Sequence, residues 1–375
     1  MALKPANRHT LIGSNMAVRC FGLIIILMST LFLSYYFMTG PKELLHYSHS
    51  YKSSLLAEGS ENMCGDLYDI ARHMLNGSPV SLPFYTTNHT RWKFYKGKNP
   101  NLLDETLLIW NSKGEMSKEV RAFINLYNKT KAKDIKVRKH FITFANECCH
   151  MSKLKAVMSA LYPGGFDKTK IHDLSSLSAG FKRTHSKILT HVRGSGYWLW
   201  KPYIILKTLV ENMAAGEILM YQDSGAYLIQ DAGPLLKLCE HTKYGILLFY
   251  ITFLEQHYSK RDAFVLMHMD NQHVYQTFQS SASFMLFQKN CMSLQFVMEW
   301  LAYASDPRLI TDMDNTLGKQ NLPGFREHRH DQSILSLLSK KWQIMAYRTP
   351  SQYGNTLGYK AGPYSQIIMH NRNRN

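Results

Sequence analysis

Three short strings hold most of the side chains in this chain that do chemistry: residues 193–202 (RGSGYWLWKP), 219–225 (LMYQDSG) and 325–338 (FREHRHDQSILSLL). In the second, Asp223 follows an apolar run that reads as a buried strand, and in open α/β sheets ligands sit at the carboxyl ends of strands. A turn-capping aspartate is the competing reading, because Asp and Gly favour local hydrogen bonds and positive φ. In the first, Lys201 stands at the start of a helix marked by Pro202, so its ammonium and the helix's partial positive end offer a diphosphate a common target. Arg193 adds a second cation; a solvated basic surface is the alternative for both. Trp198 and Trp200 offer faces on which a sugar or base stacks, although aromatics beside a buried helix more often pack in a core.

The third string contains the densest polar cluster, Glu327-His328-Arg329-His330-Asp331-Gln332, directly before an apolar helix. Asp331 has the chemistry of a general base on a hydroxyl, and equally that of a helix N-cap. His328 and His330 have ring nitrogens for a metal or a diphosphate, and Gln332 joins the ligand-binding set. Asp312 and Asp314 repeat a two-residue acid spacing, but they follow Pro307 and precede a Gly- and Asn-rich stretch, which places them on a loop.

These strings need elements to position them. Apolar, β-branched and aromatic runs predict strands at 140–145, 170–174, 217–222, 244–251, 281–288 and 344–347. Helical spacing appears at 152–161, 202–213 and 292–304, with a last helix starting near Asp331. Strands alternating with helices predict an α/β fold, one sheet covered by helices, with a core at about 139–347 inside a domain spanning 106–375.

Upstream, residues 20–38 form the chain's one long uncharged apolar run, of a length that spans a bilayer; a cleaved signal peptide is the competing reading, but its apolar region is usually shorter and followed by small residues, whereas Tyr35, Tyr36 and Phe37 close this one. Lys4, Arg8 and Arg19 precede it without an acid, so residues 1–19 are expected in the cytoplasm and the rest in the lumen. Residues 39–105, polar and broken by Gly and Pro, read as a stem with one helical piece at 67–75. Asn76, Asn88 and Asn128 each open an Asn-x-Ser/Thr acceptor on the lumenal side. Cys20 lies in the apolar run; Cys64, Cys148, Cys149, Cys239 and Cys291 lie beyond it, five thiols whose pairing stays open.

A single long apolar run excludes a multi-span transporter. The chain's 12% aromatic content excludes wholesale disorder. Its +17 net charge suits anionic ligands, acidic glycans or a membrane surface. Nucleic acid is not an expected partner, since a lumenal domain is separated from it and no binding motif appears.

In their order, the three strings, together with YSKRD (258–262) and SASFMLFQ (281–288), resemble a family of predicted nucleotide-diphospho-sugar transferases with a GT-A-like fold. The resemblance covers roughly residues 139–347. It implies a glycosyltransferase that takes a nucleotide-sugar donor and a glycan or glycoconjugate acceptor, here a single-pass type II protein anchored in the membrane by residues 20–38, in the Golgi or another secretory compartment. It also implies an Asp-x-Asp motif at Asp223 holding Mn²⁺ or Mg²⁺ on the donor. On the residue chemistry given above, His328 is then a candidate further ligand, Lys201, Arg193, Trp200 and Gln332 candidate donor-binding residues and Asp331 the candidate catalytic base. This chain departs from the pattern, with Gly225 where the second acid would stand. The departure supports a rival, a non-catalytic lectin-like membrane protein of the same fold.

Overall fold

The computed structural model describes residues 64–78, 137–146, 150–344, 346–356 and 366–371. The apolar run 20–38, the cytoplasmic tail, most of the stem, Asn88, Asn128, Cys148 and Cys149 lie outside the described residues.

A seven-stranded mixed sheet forms the centre, in the order β2-β1-β3-β7-β5-β6 with β8 beside β5. Its strands are β1 (Lys139–Phe144), β2 (Lys168–His172), β3 (Ile218–Gln222), β5 (Ile246–Leu254), β6 (Phe278–Ser280), β7 (Phe284–Gln288) and β8 (Ala346–Arg348). β1 runs parallel to β2 on one side and to β3 on the other, whereas β7 is antiparallel to β3. Chain order thus reverses around β1, and the crevice beyond the carboxyl ends of β1 and β3 is the topological switch point where such sheets take ligands. A small antiparallel pair, β4 (Ala226–Leu228) with β9 (Ile368–His370), closes one end. The expected α/β architecture, one mixed sheet flanked by helices, is the observed one.

Strand periodicity sorts the core into two layers. Ile142, Phe144, Leu219, Tyr221, Met285 and Phe287 face one side, under the helices α3 (Trp200–Glu211), α5 (Cys291–Ala304) and α6 (His330–Lys341). Phe141, Ile218, Met220, Phe284 and Leu286 face the other, with α2 (His150–Leu161) and α4 (Gly233–His241). α3 is buried on nearly every side, as its apolar sequence requires. Element ends move where caps act. The second strand stops at His172 rather than 174 because Asp173 accepts the Ser175 N–H and turns the chain into a short 3₁₀ segment.

The helical piece within the segment read as a stem is α1 (Gly65–Leu75). Its Ala71, Met74 and Leu75 are buried in the α3 layer, the Tyr203 hydroxyl donates to Leu75 O, and Cys64 is disulfide-bonded to Cys291 at the start of α5. The core therefore takes in residues upstream of 139. Asn76 is exposed at the C-terminal end of α1.

Candidate active site

β3 delivers Asp223 to the switch point, and α3 aims Lys201 at it from below. The Lys201 ammonium donates to Ala282 O at 3.1 Å and is ion-paired with Asp331 Oδ2 at 2.7 Å and Asp223 Oδ1 at 3.4 Å. Its side chain is 3% exposed, that of Asp331 6% and that of Asp223 37%, so the triad is a buried ion pair with one carboxylate at the surface. Burial works against the Lys201 charge, but the two carboxylates outweigh it and hold the ammonium above the ordinary lysine value. Burial pushes the Asp331 carboxyl up to about 6, with Lys201 pulling the other way.

Tyr221 belongs to the same constellation and was not anticipated. Its hydroxyl donates to Asp223 Oδ1 at 2.5 Å, and burial, then the Asp223 charge, raises its pKa well above the usual tyrosine value. The sequence did hold a signal: residues two apart on a strand share a face, so Tyr221 and Asp223 had to lie side by side. The Asp223 N–H donates to Ser283 O, and Gln332 accepts from the Ala282 N–H while donating to Gln279. Gln332 thus positions the 282–283 backbone that serves Lys201 and Asp223.

The RGSG string forms the roof. Gly194, Ser195, Gly196, Tyr197 and Trp198 all have positive φ, between 51° and 93°. Such a run is rare for residues with side chains, and backbone strain of this kind concentrates at functional sites. The glycines are required sterically. A Cβ on Gly194 would stand 2.3 Å from the Trp198 ring, and one on Gly196 2.8 Å from Leu189 Cα. Ser195 Oγ accepts from Asn146 just beyond β1, tying the roof to the switch point.

Trp200 is buried within this wall, stacked on Phe144 with centroids 3.6 Å apart, and its indole N–H donates to Gly194 O. It shapes the site from behind, so the ligand-stacking role expected for it does not hold. Trp198 is half-buried and stacks on His330.

The rim is a second set of charges. Arg193 Nη1 lies 3.2 Å from Asp312 Oδ2 and Nη2 3.6 Å from Glu327 Oε2, with all three side chains at least 40% exposed. His330 is buried; Nδ1 is 2.7 Å from Ile310 O, Nε2 is 3.7 Å from Asp312 Oδ1, and burial lowers its pKa. The 311–317 loop is held by the YSKRD string: Lys260 Nζ donates to Thr311 O and Met313 O, and Asp262 accepts from Thr316.

His328 takes no part in the site. The Lys260 N–H donates to its Nδ1, and Nε2 lies 2.6 Å from Leu309 O, so both ring nitrogens are used in holding the fold. It cannot ligate a metal without breaking that contact.

A hard divalent cation needs several oxygen ligands. Asp223 Oδ1 already faces Tyr221 and Lys201, leaving Oδ2; Asp331 Oδ2 holds Lys201; position 225 carries no side chain, although a Cβ there would meet only Asn371 O, at 3.5 Å. No group of three His, Cys, Asp or Glu side chains converges on a common point among the described residues. The donor set does not fit a divalent cation.

No family model matches the chain, and no curated protein matches it in sequence. Solved structures that superpose on it include apo mouse xyloside xylosyltransferase 1, at 10% identity and a TM-score of 0.37 over 63% of this chain and 98% of the other. The bifunctional glycosyltransferase WbbM matches at 10% identity and a TM-score of 0.36, over 64% of this chain and 46% of its own. The galactosyltransferase LgtC, solved with donor and acceptor sugar analogues, matches at 12% identity and a TM-score of 0.35, over 62% and 87%.

Proposed function

We propose that this chain is a glycosyltransferase that moves a sugar from a nucleotide-sugar donor to a glycan or glycoconjugate acceptor, with residues 20–38 anchoring it in a secretory-pathway membrane, the Golgi foremost, and its C-terminal domain in the lumen. The observation that carries the reading is Asp223, set at the carboxyl end of the central strand β3, beside the switch point, and locked by Tyr221 and Lys201. A sugar transferase must orient a hydroxyl-rich donor, stabilise a departing diphosphate and hold an acceptor hydroxyl in line. Asp223 offers an acceptor for sugar or ribose hydroxyls, and Arg193 a cation at the mouth. Asp331, whose carboxyl burial pushes up to about 6, is the candidate base; its ion pair with Lys201 must open before it can take a proton.

One observation favours a second reading. Gly225 replaces the second acid, and Asp331 Oδ2 and Asp223 Oδ1 are already engaged with Lys201, which suits a carbohydrate-binding protein without turnover. The full-length chain in detergent, tested for thermal stabilisation by a panel of nucleotide sugars and for nucleotide release on a glycan mixture, separates the two. Stabilisation by one nucleotide sugar with release that Asp223→Ala abolishes supports the transferase. Glycan binding without release from any donor supports the binding protein.

A further inference from the structure

The carboxylates at the end of β3 are gathered around an ammonium instead of a metal. Lys201 Nζ lies between Asp223 and Asp331, within 3.4 Å of a carboxylate oxygen from each, and takes a third contact from Ala282 O. The group is 3% exposed and enters from the first turn of a largely buried helix, so it cannot swing away as a surface lysine does. Two carboxylates around one buried positive charge is the electrostatic arrangement a divalent cation would otherwise complete, and a second positive charge in the same place would be repelled at short range.

We infer that the site takes its ligand without a divalent cation, the Lys201 ammonium occupying the cation's position between Asp223 and Asp331. The inference rests on the transferase reading and deepens it: the ligand is met by hydroxyl-to-carboxylate hydrogen bonds at Asp223 and by fixed protein charge. Asp223 is the one member of the triad with substantial exposure, and a carboxylate is an acceptor matched to the hydroxyls of a sugar or ribose. Of the three Lys201 contacts, the one to Asp223 is the longest. An arriving phosphate oxygen replaces it at the least loss, leaving the bond to Asp331 intact.

The test measures binding as well as turnover. Wild-type full-length protein in detergent is titrated with Mn²⁺ by electron paramagnetic resonance, and its thermal stabilisation by the nucleotide-sugar panel is recorded in EDTA and in Mn²⁺. The expected result is the same stabilisation in both media and no Mn²⁺ site tighter than millimolar. A nucleotide-sugar shift that vanishes in EDTA and returns with Mn²⁺ overturns the inference while leaving the transferase reading in place. No shift with any nucleotide sugar in either medium overturns the reading beneath it.

A converse experiment is independent of the donor. Removing the ammonium in Lys201→Ala leaves two carboxylates facing one small space, so this variant gains Mn²⁺ binding at least tenfold tighter than wild type, seen also as stabilisation by Mn²⁺ alone. A folded Lys201→Ala chain that binds Mn²⁺ no better than wild type overturns the placement. If Lys201→Ala does not fold, Lys201→Met/Asp331→Asn removes both buried charges at similar volume. The inference then expects that double variant to lose the EDTA-insensitive nucleotide-sugar shift, and retention of the shift overturns it.

Discussion

The triad Lys201, Asp223 and Asp331 and the rim Arg193, Asp312 and Glu327 use the same kinds of charge on neighbouring segments, yet they differ in what surrounds them. Lys201 and Asp331 are almost fully buried and bonded at 2.7 Å, whereas the rim side chains are at least 40% exposed and their contacts run from 3.2 to 3.6 Å. A buried charge has exchanged its water for fixed partners, so each partner is costly to remove. An exposed charge keeps its water, and its ion pair contributes little. Lys201 and Asp331 therefore form the buried part of the site, while the more exposed Asp223 and the rim are the groups that meet a ligand.

The largest effect expected from breaking this contrast is on the triad. Asp331→Ala leaves Lys201 buried with one distant carboxylate and should cost about 3–5 kcal/mol of stability, measured by chemical denaturation. A loss below about 1 kcal/mol would mean that water reaches Lys201 and that the triad resembles the rim.

A smaller effect, dependent on pH, sharpens the same point. Burial raises the Asp331 carboxyl to about 6 in the folded chain, above its unfolded value near 4. Between those values the folded chain keeps a proton that the unfolded chain has lost, so this contribution is complete below about pH 4 and disappears as pH rises toward 6. The stability of wild type minus that of Asp331→Asn should accordingly fall by roughly 1–3 kcal/mol from pH 4 to 6 and then level off. A difference that rises over that window would show Lys201 overcoming burial and holding the carboxyl below its unfolded value.

The position of Asp223 was legible in the sequence because a predominantly apolar run, Ile218 to Tyr221, followed by Gln222 and Asp-Ser-Gly reads as a buried strand and its turn. The start of α3 at Lys201 was legible from Pro202, but the direction of the lysine was not. Helical spacing does not say which polar residue of a buried helix finds a partner in a segment 130 positions away, as Lys201 does in Asp331. Trp200 and His328 failed as ligand groups for the same reason: their partners, Phe144, Gly194, Lys260 and Leu309, are brought to them by tertiary folding. The helix at 67–75 was visible in its periodicity, while its place in the core depends on the Cys64 bond to Cys291. Nothing local announced positive φ at Tyr197 and Trp198, which the fold imposes on the segment before α3.

The rim gives the smallest expected stability change and the clearest functional one. Arg193→Ala removes two exposed ion pairs, so unfolding free energy should change by less than about 1 kcal/mol, and by still less in high salt. If the Arg193 cation faces a phosphorylated ligand at the mouth of the site, the same variant weakens nucleotide-sugar binding several-fold in low salt, and the gap to wild type narrows as salt is added. Equal binding by wild type and variant at low salt would leave Arg193 as a link between the 193–198 roof and the 311–317 loop. A stability loss above about 2 kcal/mol would place it with the triad, and the division between a fixed interior and a responsive rim would then have to be redrawn around the loop that Lys260 and Asp262 hold.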